Sequence, residues 1–402
     1  MTVVRGRSSW RSRRESRRRP NITLGSLISK EQRFSMRIEV DARMLTAGGI
    51  GRCIRETCGR WANDPRVTAI RFLGRPEELE PWLGDLDCQR TVEILPWLDP
   101  PYRLRAQLRW LGPLARKRSW NPDVTFFPHY DAPALSHPRP SVTVIHDLIQ
   151  LQLPRLFPAW KRQLAAGLLR RVASESAHVV TVSEASRTAL VDGLGLRPEE
   201  ITVVANGVSP VFSSGVHPTK GKGARAPFAL CVAQDRPHKN LALALRALAE
   251  LPRSEGWELV VVGASERDMQ SLASAVGCRR VLPRLRVHPY VSDTELRDLY
   301  TAAQVVLVPS LVEGFALPAW EARACGAPVL VLDRPWSEDL VELGVTRIRS
   351  ENPRVWARQI LRSARGTRTV PASGLIPSWD DTASRMLDVL GQTAARFSPR
   401  ET

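Results

Sequence analysis

From residue 36 to residue 208, short apolar runs alternate with longer segments in which apolar positions recur every three or four residues. The runs cover residues 37–42, 68–73, 92–95, 124–127, 142–145, 178–182 and 201–204, lengths that suit strands rather than helices. Apolar strands separated by helices predict a parallel sheet covered on both faces. The composition then breaks, and Ser213-Ser-Gly-Val-His-Pro-Thr-Lys-Gly-Lys-Gly-Ala-Arg-Ala-Pro227 reads as a loose linker. The same alternation resumes with runs at 228–232 and 258–262. Ser292 and Glu295 form an S-x-x-E capping box, which predicts a helix over 293–303. The pattern fades after Leu343, and the last periodic segment, 379–395, is expected as a terminal helix. At 402 residues the chain exceeds one ordinary core. The expected architecture is α/β: two Rossmann-like, doubly wound domains facing across a cleft. The expected boundaries are a tail at 1–35, domains at 36–210 and 228–375 with a linker at 211–227, and a terminal helix and tail at 376–402.

The densest chemistry lies in Pro309-Ser-Leu-Val-Glu313-Gly-Phe-Ala-Leu-Pro-Ala-Trp-Glu321-Ala-Arg-Ala-Cys-Gly326-Ala-Pro-Val. Residues 304–309 and 328–332 read as buried parallel strands, with a helix between them that opens at Pro318 and stops at Gly326. Glu313 then stands on a loop outside the carboxyl end of a strand, where open α/β sheets bind ligands. Glu321 is expected in the first turn of the helix. The N–H groups of Gly314, Phe315, Ala316 and Leu317 face the same region. Two acids beside anion-seeking amides suit a ligand with both hydroxyls and phosphates, such as a nucleotide sugar. An acid in a first turn also complements the helix dipole, worth ~0.3–1 kcal/mol. Paired carboxylates hydrolyse glycosides too, although a glycosidase needs no adjacent phosphate site.

Charge refines this picture. The chain carries a formal +17, of which residues 1–35 hold ten cations against two acids and the remainder 48 against 39. The tail has too little apolar content to fold and lacks the apolar core of a secretory signal. It is Arg- and Ser-rich like a transit peptide but has no clear amphipathic period, and any nucleic-acid binding by it would be unspecific. Six cysteines with no C-x-x-C pair suggest neither zinc nor a disulfide framework, and read as small buried hydrophobes in a reducing compartment. The chain has 52 arginines and six lysines, so Lys239 in Asp235-Arg-Pro-His-Lys-Asn is an unusual choice. A compact point charge at a phosphate is a physical reason for it. A solvated loop cation is the plainer reading. The only D-x-D, Asp85-Leu-Asp87, lies away from these residues, and no metal ligand set is evident.

The 309–329 segment resembles the Glu–seven residues–Glu motif of retaining glycosyltransferases of family 4 (glycosyl transferases group 1), which have the GT-B fold. Further segments resemble the same family in its order: Met36-Arg-Ile-Glu-Val-Asp-Ala-Arg with Gly48-Gly49-Ile50-Gly51-Arg52, Val144-Ile-His146-Asp147-Leu148, Val180-Thr-Val-Ser183-Glu, Val204-Ala-Asn206-Gly207-Val208, Pro237-His238-Lys239-Asn240-Leu241 and Tyr290-Val-Ser-Asp-Thr-Glu-Leu296. The resemblance runs from Met36 to about Leu340, so a mis-assigned start codon would account for the tail as readily as a function would.

The resemblance implies that the first domain holds the acceptor and the second a nucleotide-diphospho-sugar, with a mannose- or glucose-type hexose moved to a glycan or lipid-linked acceptor. It implies no cofactor and no catalytic metal, the departing pyrophosphate being stabilised by fixed cations and amide dipoles. Glu321 would accept from the ribose hydroxyls, and Glu313 would bind the sugar near the reacting carbon. Lys239, with Arg236, would meet the phosphates. His146 would sit by the donor sugar, unless it is a strand-end histidine satisfied by Asp147. Gly48 and Gly49 would approach the pyrophosphate, and Tyr290 and Val291 the base. The terminal helix would return to the first domain. Two departures stand out: Ala233-Gln234 where the family has a Gly with Arg or Asn, and Ala316 where it commonly has Gly. A positive φ at Ala316 would be strained.

Two readings compete with transfer: a nucleotide-sugar epimerase or hydrolase of the same fold, and a non-catalytic sugar-nucleotide-binding protein. Residues 102–120 combine Arg103, Arg105 and Arg109 with Leu104, Leu108 and Leu111 at helical spacing, which suits either a core-facing helix or an anionic membrane surface. The resulting expectation is a cytoplasmic protein, peripheral on the inner face of the plasma membrane, with no specific nucleic-acid partner.

Overall fold

The computed structural model describes residues 35–86, 88, 90–101, 107, 120–134, 137–212, 226–372 and 374–397. The basic tail, nearly all of the linker, Asp87 and the basic segment with Arg103, Arg105 and Arg109 lie outside the described residues.

Strands β1 (Met36–Asp41), β2 (Val67–Gly74), β3 (Thr91–Pro96), β4 (Val124–Phe127), β5 (Ser141–Val144), β6 (His178–Thr181) and β7 (Ile201–Val203) form one sheet in the order β3-β2-β1-β4-β5-β6-β7. Strands β8 (Phe228–Val232), β9 (Glu258–Val262), β10 (Leu285–His288), β11 (Val305–Val308), β12 (Val329–Leu332) and β13 (Thr346–Ile348) form a second, ordered β10-β9-β8-β11-β12-β13. Each described pairing is parallel. Central strands such as β4, β11 and β12 are buried on both faces, which is why they read as unbroken apolar runs. The strand order reverses between β1 and β4 in the first sheet and between β8 and β11 in the second. Those two switch points fix where ligands can enter.

The expected strands are present within a residue or two at each end. Two others, β10 and β13, carry no signal in the apolar pattern. Both are edge strands in which half or more of the residues are polar, Leu285-Arg-Val-His and Thr346-Arg-Ile, so no apolar run marks them. The capping box forms as expected: Ser292 Oγ accepts from Glu295 N, and Ser292 N donates to Glu295 Oε2 over 2.8 Å, opening the Asp293–Ala302 helix.

The terminal helix, Trp379–Phe397, does return to the first domain. Ala383, Met386, Leu387 and Leu390 join the core of β1, β2, β4 and β5, and the Trp61 indole donates to the Ala383 carbonyl over 3.0 Å. The chain crosses between the sheets twice at one place, where Val208 N donates to Pro377 O over 2.8 Å and Thr382 Oγ1 to Ala205 O over 2.8 Å. Gly207 is required there, because a Cβ would fall on the Ser378–Trp379 backbone. This double crossing ties the domains at one end of the cleft.

Candidate functional site

Lys239 follows β8 and Glu313 follows β11, the two strands that flank the second switch point. A short 3-10 turn, Pro237–Lys239, ends at Asn240, whose backbone is left-handed (φ 54°), and this turns the lysine back over the sheet edge. Lys239 Nζ lies 2.8 Å from both carboxylate oxygens of Glu313, with their side chains 22% and 10% exposed. A lysine ammonium has three donors, so this pair still leaves hydrogen-bonding capacity toward the cleft. Arg236, one residue before the turn, is exposed.

After Glu313 the loop passes closely beneath the first domain. A Cβ on Gly314 would stand 2.5 Å from the His146 carbonyl, and Ser186 Oγ donates to that carbonyl over 2.9 Å. Phe315 packs against the apolar cores of both domains and stacks on Trp320 at 5.1 Å. Ala316 adopts the left-handed conformation (φ 59°) at the cap of the Leu317–Ala324 helix. The strain foreseen there is real, and it orients the loop: among the described residues the N–H groups of Gly314, Phe315 and Ala316 donate no hydrogen bond.

Glu321 corrects one expectation. It lies in the second turn of the Leu317–Ala324 helix, not the first, so complementing the dipole does not explain it. The residue is 3% exposed, and burial pushes its pKa up to about 7, against the opposing effects of Arg52 and the Tyr300 hydroxyl. Arg52 Nη1 donates to Oε1 over 2.9 Å, and the buried Tyr300 hydroxyl donates to Oε2 over 2.9 Å. Arg52 also donates to Asp293 Oδ2 over 2.6 Å. Arg52 belongs to the Gly48–Trp61 helix of the first domain, whereas Glu321, Asp293 and Tyr300 belong to the second. One guanidinium therefore bridges the cleft.

Gly48 and Gly49 form the first turn of that helix rather than a loop before it, with Gly48 at φ 47°. Gly49 faces Leu317, and Gly51 tolerates no side chain because a Cβ would fall on the Leu45 carbonyl. The first turns of the two helices, at Gly49 and Leu317, thus come close together.

His146, at the end of β5, is not satisfied by Asp147. Its Nε2 lies 2.8 Å from the Pro128 carbonyl, which only accepts, so Nε2 carries the proton and Nδ1 is left as an acceptor. Burial lowers its pKa, which keeps the ring neutral. Asp147 instead accepts from Ile149 N, and burial raises its pKa, with the nearby Glu313 adding to the shift. Tyr290 is 84% exposed and lies within electrostatic reach of Arg55, and Val291 is half-buried. The Arg43 guanidinium lies between Asp41 (2.6 Å) and Asp131 (3.2 Å), at the carboxyl edge of β1 and β4 in the first domain.

The local sequence pattern points to Lys239, Glu313 and Glu321, the family resemblance adds His146 and the two glycines, and neither singles out Arg52, Asp293 or Tyr300. Arg52 ends the quoted Gly-Gly-Ile-Gly-Arg segment and Asp293 opens the capped helix, but nothing local says that they meet 241 residues apart. Among the described residues no group of three or more His, Cys, Asp or Glu side chains is disposed to hold a metal ion.

Comparison with known proteins adds to this geometry. Residues 47–212 match the family described as Glycosyltransferase Family 4, and residues 216–363 match the family described as Glycosyl transferases group 1. A D-inositol 3-phosphate glycosyltransferase of Kineococcus radiotolerans is 32% identical over 55% of this chain and 58% of its own length. The O-antigen chain mannosyltransferase of Salmonella typhimurium is 24% identical over 62% of this chain and 67% of its own. The chain spans about half the length of curated relatives of the first kind, 40% and 58% in two of them. Among solved structures, Anabaena HepE in complex with UDP and glucose superposes with a TM-score of 0.62 at 20% identity, over 88% of this chain and 98% of that one.

Proposed function

Because the chain belongs to glycosyltransferase family 4 and has the GT-B fold, we propose that it transfers a hexose from a nucleotide-diphospho-sugar to a glycan or lipid-linked acceptor, with retention and without a catalytic metal. The observation that carries this reading is Lys239 Nζ held 2.8 Å from both Glu313 oxygens at the switch-point edge of β8 and β11. Phosphate charge builds as the donor cleaves, and a fixed ammonium beside undonated amides stabilises that charge without reorganising water. Arg236 supplies a second cation from the same loop, and the helix N-terminus at Gly48 faces the diphosphate from the other domain.

Glu321 accepts the ribose hydroxyls and Glu313 the hexose hydroxyls. Tyr290 and Val291 flank the base. In the transfer step the acceptor oxygen bonds to the anomeric carbon on the face from which the C–O bond to phosphate breaks. The acceptor proton passes to the departing phosphate oxygen, so no protein base is needed. His146 accepts a sugar hydroxyl through Nδ1. A mannose-type donor is favoured by the relatives named mannosyltransferases, and UDP by the Anabaena protein's complex with UDP and glucose.

The test is release of nucleoside diphosphate from a panel of UDP-, GDP- and ADP-hexoses, with and without acceptor and chelator. Acceptor-dependent release that survives chelation is expected. Release without acceptor would indicate a hydrolase, interconversion of donors an epimerase, and binding without release a non-catalytic sugar-nucleotide protein.

A further inference from the structure

The segment from Pro154 to Leu164 exposes its apolar side chains where the domain does not need them for its core. Trp160 is 61% exposed, Leu164 66% and Leu156 40%. Trp160 and Leu164 stand one turn apart on the outer face of the Ala159–Glu175 helix, whose inner face buries Ala166, Leu169, Val172 and Ala173. An open notch lined by Pro154, Leu156, Phe157 and Arg162 adjoins them. A tryptophan and leucines in water are costly unless a partner covers them.

The charge around this face identifies the partner. Residues 148–174 contain five cations, Arg155, Lys161, Arg162, Arg170 and Arg171, and no Asp or Glu. Arg171 is paired with Glu175 at 3.0 Å and Arg170 donates to backbone carbonyls, whereas Arg155, Lys161 and Arg162 form no ion pair among the described residues. An indole and leucines ringed by long-stemmed cations without acidic partners match the boundary of an anionic bilayer: the rings and alkyl groups enter the headgroup region while the cations reach phosphates. No described helix is long and apolar enough to cross a membrane, so this would be attachment to one face.

We propose that Leu156, Trp160 and Leu164, with Arg155, Lys161 and Arg162, form a docking surface for an anionic lipid membrane. The surface is built on the first domain, and its position bears on the cleft. Pro154 lies seven residues beyond Asp147, and Gln150, between them, donates to the Tyr130 hydroxyl over 3.0 Å in the loop that carries His129 and Asp131. Docking here turns the acceptor side of the cleft toward the bilayer. This inference does not depend on the donor chemistry proposed above. It also differs from the sequence-based expectation at Arg103, Arg105 and Arg109, which lie outside the described residues.

The test is sedimentation of the full chain with mixed phosphatidylglycerol–phosphatidylcholine vesicles and with phosphatidylcholine vesicles alone, at low and high salt. Wild type should bind the mixed vesicles preferentially and lose binding as salt rises. The Arg155→Gln/Lys161→Gln/Arg162→Gln variant should bind them roughly 100-fold more weakly, since each cation near such a surface is worth about fivefold. Trp160→Ala/Leu164→Gln should weaken binding about tenfold or more at unchanged melting temperature, because neither side chain supports the core. The proposal is overturned by equal binding to both vesicle types, or by wild-type binding in both variants, which would assign it to another segment. A lowered melting temperature of Trp160→Ala/Leu164→Gln would also overturn it, since the face would then be covered by the chain itself. So would a wild-type dimer that these substitutions dissolve, which would make the partner a second copy.

Discussion

Replacing Arg52 with methionine keeps most of the stem and removes the charge that faces Glu321 across the cleft. Burial holds the Glu321 carboxyl at a pKa of about 7, a value already lowered by the guanidinium 2.9 Å away. Two opposite charges ~4 Å apart attract by ~4 kcal/mol at an effective dielectric constant of ~20. Asp293 draws on the same guanidinium, whose side chain is 16% exposed, which reduces the effect on Glu321 to about 2 kcal/mol. That energy moves the carboxyl midpoint up by ~1.5 pH units. Near pH 7 the wild-type carboxyl is about half ionised, and the Arg52→Met carboxyl would be ionised in only a few per cent of molecules. If the carboxylate accepts ribose hydroxyls, nucleoside diphosphate affinity should fall roughly 10- to 20-fold near pH 7 and recover to within about threefold near pH 9. Calorimetric titration across that range reads both limbs. Parallel pH curves for wild type and variant would rule this out, because the loss would then come from Arg52 touching the ligand itself.

The same geometry sets three other outcomes. Glu321 has its folded pKa raised from the ordinary 4.5 to about 7, so the unfolded chain releases its proton first and stability is lost as pH rises between those values. Glu321→Gln should therefore unfold at higher temperature than wild type above about pH 8, by a stability difference of roughly 2–4 kcal/mol, with the difference closing near pH 4. Ala316→Gly should relieve the left-handed strain and gain about 0.5–1 kcal/mol in urea unfolding, the relief being partly offset by glycine's larger unfolded-state entropy; a loss of stability would argue against strain there. Gly314→Ala would set a methyl group against the His146 carbonyl and hold the domains apart, and should cut kcat/KM about tenfold or more while the melting temperature stays within a few degrees.

The fold is legible wherever a strand is buried on both faces, since burial removes the polar residues that would blur an apolar run. It is not legible at β10 and β13, where edge positions admit Arg286, His288 and Arg347. The Pro353–Ala364 helix is hidden too, although Asn352 caps it and Trp356, Ala357 and Ile360 form its buried stripe, because three arginines and a glutamine dilute the pattern. For the site, Lys239 and Glu313 can be named from their local settings, but their pairing follows from the adjacency of β8 and β11, strands separated by more than 70 residues. Arg52 illustrates the limit of local reading. Its neighbour Gly51 is constrained by Leu45, six residues away, while the partners of Arg52 come from the other domain.

Everything proposed for the reaction turns on a fixed ammonium at the second switch point that stabilises the departing diphosphate, and steady-state transfer by Lys239→Ala probes that ammonium most directly. Removing one charge-stabilising group from a closed site costs ~2.7–4 kcal/mol, so kcat/KM should fall about 10²-fold or more while the wild type keeps its turnover in chelator. Glu313→Ala, measured alongside, should lower kcat with little change in affinity for the free nucleoside diphosphate, because the ligand group proposed for Glu313 is the sugar. Near-normal turnover by Lys239→Ala, or wild-type activity that disappears on chelation, would show that the charge is stabilised by something else.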